Sequence, residues 1–215
     1  MPALGLTVVA AASLAVAWLW PLPDLAHDLL SAHMAQHLVA MNGGALFLAL
    51  AWPRPFTVRA QRGGASIGLA VATALQFGLL MIWHLPGLLA EAHHNRLLHV
   101  LMQATIFGAA FLFWRQMFAV GSPLWLRIVC LLATAKLFCL AGAVLIFSRR
   151  AIYGPFGDPA AWNMSALEDQ HLAGLLMVSA CAIIYVAVAT GLFASWLLRD
   201  RGSPSGYDGP VALPR

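Results

Sequence analysis

Six apolar runs of membrane length decide what this chain can become. Leu4–Trp20, Ser31–Ala51, Ala65–Trp83, Leu97–Phe113, Leu124–Phe147 and a last run reaching Leu198 each supply the ~17–25 residues that a helix needs to cross a bilayer. Hydrocarbon offers no water to satisfy stray backbone groups, so runs of this kind are helical. Composition agrees: 61% of the 215 residues are hydrophobic and 9% charged, where soluble domains carry about a quarter charged residues. The predicted fold is all-α, a polytopic transmembrane bundle of six spans forming one domain over residues 1–200. The Gly/Pro/Ser-rich tail 201–215 reads as disordered and cytoplasmic. The first run resembles the core of a signal peptide but lacks a basic leader and a small-residue cleavage site. It is read as an uncleaved helix, and Asp24 beyond it as the N-cap of the helix entering the second span. A net charge of +4 does not point to nucleic acid, because arginine sits mostly in short loops between apolar runs.

Those loops set the orientation. One side, holding 52–64, 114–127 and the tail, carries eight Lys and Arg, and the other side three. The positive-inside rule then places both termini in the cytoplasm. All eight histidines, at 27, 33, 37, 84, 93, 94, 99 and 171, fall on the opposite, outer side. Lys136 lies near the middle of its span, and a lysine there is expected to face the bundle interior.

A cation site on the outer face accounts for the histidines. His33 and His37 are four apart, one turn apart on one helix face, and Met41 continues the stripe. Imidazoles and thioethers at this spacing suit copper, zinc or a haem iron, sulfur favouring Cu(I). His99 has Met102 and Gln103 one turn on, and His84 stands at the end of the third span, with Met34 a further sulfur donor beside His33. The predicted ligand set is therefore His33, His37, His84 and His99 with Met34, Met41 and Met102. Asp169, Gln170, His171 and Gln103 are expected to orient ligands, since a carboxylate or amide on an imidazole fixes its tautomer. His93 and His94 read as solvated residues of a polar loop. Cys130, Cys139 and Cys181 lie in apolar runs and read as small hydrophobic residues without disulfides.

The order of motifs resembles a known family. His33-Met34-Ala35-Gln36-His37, Trp83-His84-Leu85-Pro86, His99, Phe113-Trp114, Ala151-Ile152-Tyr153 and Leu167-Glu168-Asp169-Gln170-His171-Leu172-Ala173-Gly174 follow one another as in CtaG-type cytochrome c oxidase assembly factors. The resemblance covers residues 20–198, nearly the whole membrane part. It implies a multi-pass protein of the bacterial inner membrane that serves haem–copper oxidase maturation by copper supply. Lipid and oxidase subunits are then its partners. Many members have a seventh span where this chain reads as six. The expected role is a metallochaperone without chemistry of its own. The alternative is a haem-binding membrane protein acting in electron transfer or haem handling. A metallohydrolase is disfavoured, because no HExxH occurs and no helix-borne glutamate stands beside paired histidines.

Overall fold

A computed structural model describes residues 2–52, 62–119, 121–154 and 156–201. Helix α1 (Pro2–Trp18) and the short α2 (Leu22–Asp28) make the first apolar stretch. Helix α3 (Leu30–Leu38) widens into a π turn (Val39–Ala45) and resumes as α4 (Leu46–Ala51). Helix α5 (Arg62–Trp83) ends at a short α6 (Pro86–His94), after which α7 (Arg96–Met117), α8 (Leu124–Phe147) and α9 (Ala166–Arg201) complete the bundle. Six helical stretches are long and apolar enough to cross a membrane, and no strand occurs among the described residues. The protein is an all-α polytopic transmembrane bundle.

Local chemistry sets the helix ends. Asn95 caps α7, its side chain accepting from the backbone N–H of Leu97 and Leu98. Ser165 and Glu168 form a reciprocal capping box at the start of α9, with Ser165 N–H on Glu168 Oε2 at 2.8 Å and Glu168 N–H on Ser165 Oγ at 3.2 Å. Packing is closest between α8 and α9. A Cβ on Gly174 would fall 2.6 Å from the Gly142 carbonyl, so these backbones meet only because both positions are glycine. Gly43 in the π turn plays the same part toward α1, where a Cβ would stand 2.6 Å from Ser13 Oγ. Trp114, Tyr185, Phe113 and Phe138 fill the centre and are fully buried, while Leu97, Leu140, Ile67 and Ile183 are exposed on the outside of the bundle.

Three expectations change. Asp24 is not an N-cap: it lies in the first turn of α2, which makes no side-chain cap bond. The chain instead breaks at Leu29, in extended conformation, and starts α3 afresh at Leu30. The segment holding His93 and His94 is helical, because Pro86 opens α6 at a position where its missing N–H is harmless and Leu89 and Ala92 bury an inner face. Lys136 is exposed. The buried stripe of α8 runs through Leu131, Ala135, Phe138, Gly142 and Leu145; Lys136 falls on the outward stripe with Leu132 and Leu140, from which its long stem can carry the ammonium toward the interface. The tail beyond 201, and Arg54 and Arg59 ahead of α5, lie outside the described residues.

Candidate metal centre

Helix α3 begins on a carboxylate from the other end of the sequence. Asp169, 1% exposed, accepts from the backbone N–H of Leu30 at 2.6 Å and of Ser31 at 3.0 Å. Two of the donors that any helix start leaves unpaired are thus satisfied across the bundle. The anchored helix turns His33 and His37 inward, and both are buried. Their Nε2 atoms stand 3.0 Å apart, a separation that gives an angle of about 90° at a metal with ~2.1 Å bonds.

The third imidazole comes from the junction of α5 and α6. His84 Nδ1 lies 2.7 Å from the Leu80 carbonyl; a carbonyl only accepts, so Nδ1 carries the proton and Nε2 presents its lone pair. That Nε2 is buried and has no hydrogen-bond partner. Burial pushes His84 down to about 4, so its ring stays neutral, the form that binds metal. One nitrogen from each of His33, His37 and His84 falls within 4.8 Å of the others. Pairs across a metal with ~2.1 Å bonds can be no more than about 4.2 Å apart, so the triad fits an ion with only slight closure.

Other groups brace this centre. Tyr153 donates from its hydroxyl to the His84 carbonyl at 3.0 Å. Phe156 packs against His33 and against His93, with ring centroids 5.4 and 4.5 Å away. His99, half-buried, lies 6.0 Å from His33 by ring centroids, beside the triad. Its Nε2 is 3.5 Å from Gln103 Nε2. Gln103 in turn donates to Gln36 Oε1 at 2.8 Å and accepts from Trp18 at 3.3 Å, and Gln36 donates to the Ala17 carbonyl at 2.7 Å. Next to this chain opens a cavity of about 350 Å³ lined by Trp18, Pro23, Gln36, His99 and Gln103.

The remaining sequence candidates separate. The carboxylate of Asp169 accepts from the α3 backbone and so holds that helix rather than a histidine ring. Gln170 accepts from Ile152 N–H at 2.6 Å and donates to the Leu145 and Arg150 carbonyls. His171 reaches the Ser148 carbonyl at 3.2 Å. Both residues fasten the 148–152 segment to α9 and stand away from the triad's ring contacts. Met102 is fully buried in the apolar core. Met34 and Met41 line a separate small chamber with His37. His93 is partly buried, with His27 and His94 beside it at 5.2 Å, whereas His94 is exposed. Burial, then the neighbouring His27, His94 and His99, hold His93 below the ordinary histidine range.

Sequence reasoning gave no site role to Gln36, Phe156 or Tyr153, although Gln36 and Tyr153 stand in its motifs. Gln36 sits inside the HMAQH motif but on a different helix face from the histidine pair, and its partner Gln103 is 67 residues away. Phe156 and Tyr153 belong to an irregular segment with no periodicity to read. No curated protein and no solved structure matches the chain. The family model described as cytochrome c oxidase caa3 assembly factor (Caa3_CtaG) matches residues 6–199, first helix to last, and the chain belongs to that family.

Proposed function

We propose that the protein holds Cu(I) at His33, His37 and His84 on the outer face of the bacterial inner membrane and passes it to an apo-oxidase subunit, with no chemistry of its own. The observation that carries this reading is the buried triad, above all the unpartnered Nε2 of His84. Three neutral imidazoles without a carboxylate among them suit a monovalent ion better than a divalent one. Each extra uncompensated charge in such a buried place is strongly penalised. A three-nitrogen set also leaves a position open for an incoming ligand from the recipient, as transfer by ligand exchange requires. The haem alternative fits less well, because His33 and His37 nitrogens face each other at 3.0 Å and leave no slot for a planar macrocycle between axial ligands.

The test compares oxidase from a strain lacking this protein with oxidase from the parent. Oxidase that retains haem and lacks copper is the expected result. Normal copper with missing haem would overturn the copper reading and restore the alternative. Orientation is tested separately: cysteines placed at 149–152 should react with an impermeant reagent added from the periplasm.

A further inference from the structure

Along α3 and the π turn that follows it lies a second group of metal-compatible side chains, which shares only His37 with the triad. Met34, His37 and Met41 meet Met177 and Cys181 from α9 around a small chamber, with Asn42 and three apolar side chains, Leu38, Leu80 and Phe138, in its wall. The sulfur-bearing residues, His37 and Asn42 are each at most 5% exposed. The void is about 10 Å³, the room for a single water-sized particle.

Asn42 is the telling residue. It is 4% exposed, and neither its amide nitrogen nor its carbonyl oxygen has a hydrogen-bond partner. Burying an amide without partners is costly, so native proteins rarely leave one so. The backbone is arranged to bring it there. Residues Val39–Ala45 form a π turn, a local widening found often at functional sites, and Trp114 donates to the Met41 carbonyl at 3.0 Å. His37 Nδ1, on the ring edge away from the nitrogen facing His33, is likewise buried and unpartnered. A water would meet the amide and imidazole but gains little from three thioethers and a thiol, which are weak acceptors. A soft monovalent cation is served by all of them.

We propose that this chamber is a second binding site for a soft monovalent metal ion, lined by the sulfur atoms of Met34, Met41, Met177 and Cys181 and by Asn42 Oδ1, and joined to the triad through the shared ring of His37. It would hold an ion in a sulfur-rich setting behind a nitrogen-rich one, so that His37 swings the balance between storage and hand-over. The identity of the cargo rests on the proposed function; the existence of the chamber site does not.

Ag(I), a redox-inert analogue of Cu(I), is the probe. The purified full-length protein in detergent is titrated with Ag(I), and the bound metal is examined by X-ray absorption. The parent should bind two ions, with both nitrogen and sulfur in the scattering shell. Met41→Leu/Met177→Leu, a pair of nearly volume-conserving changes, should keep its thermal midpoint and the nitrogen-bound ion and lose the sulfur-bound one. His33→Gln/His84→Gln should do the reverse. A parent that saturates with one ion and shows no sulfur, or a methionine pair whose loss leaves the sulfur shell unchanged, overturns the inference and assigns the void to water. Sulfur-bound silver without any nitrogen-bound ion sinks the triad reading alone and leaves the chamber standing.

Discussion

His33, His37 and His84 are each less than a tenth exposed and present nitrogens within 4.8 Å of one another. His27, His93 and His94 also lie near one another, with ring centroids 5.2 Å apart in each neighbouring pair, yet His27 and His94 are exposed and His93 is only partly buried. The His27 side chain is 76% exposed. Residue type and proximity are nearly the same in the two groups. What separates them is what holds the rings. The triad rides on a helix pinned by Asp169 and on a junction where a backbone carbonyl fixes the His84 tautomer. The outer group has one exposed imidazole–carboxylate contact, His27 to Asp28 at 3.4 Å, a pair worth little in water. Histidine clusters are common; a cluster whose tautomers and helix positions are fixed before any ion arrives is a binding site.

The largest expected effect comes from removing a member of the fixed group. Changing His33, His37 or His84 to Ala should weaken copper retention by more than the ~10–100-fold that loss of an outer partner typically brings. Copper in the assembled oxidase should fall with it. If any one of the three tolerates Ala with normal oxidase copper, the contrast between the two groups collapses.

Asp169 gives the next effect, of a different kind. Asp169→Ala strands two buried backbone N–H groups, at ~1–3 kcal/mol each. The thermal midpoint of the detergent-solubilised protein should drop clearly, and Asp169→Asn, which keeps one acceptor, should drop it less. Copper bound per folded molecule should fall less than in any of the three histidine variants. A loss of metal without a loss of stability would mean that Asp169 acts on the ion itself.

Tyr153→Phe should do less. It removes one hydroxyl from the His84 carbonyl, a bond worth about 1 kcal/mol, and should lower copper affinity severalfold with little change in yield.

How much of this was legible beforehand follows from range along the chain. The spans were, because bilayer thickness imposes a length on any apolar run. The His33/His37 pair was, because helical periodicity alone puts them on one face. His84 was visible as a candidate, though its tautomer depends on a carbonyl one turn back. Asp169 was assigned to an imidazole because its true partners are backbone groups 138 and 139 residues away, and backbone donors carry no sequence signal. The π turn was hidden too: nothing in the spacing says the helix widens at Val39–Ala45. The capping box at Ser165 and Glu168 was written in the sequence and went unread, as was Pro86 opening α6.

The smallest effects should come from the open group, and they divide it. His94 is exposed and His93 partly buried against Phe156, a ring that also covers His33. His94→Ala should therefore leave oxidase copper unchanged, while His93→Ala should slow metal uptake and leave the equilibrium copper content of the protein intact. The same packing has a titration signature. With its pKa held down by burial first and by His27, His94 and His99 next, His93 should protonate below the ordinary histidine midpoint of about 6.5. Followed by the imidazole proton signals of labelled protein, that midpoint should rise in His27→Ala, because one repelling neighbour is gone, but only partway, because burial remains. A full return to the ordinary value would show that His93 is solvated after all, and the boundary between the fixed and open groups would then run between Phe156 and His93.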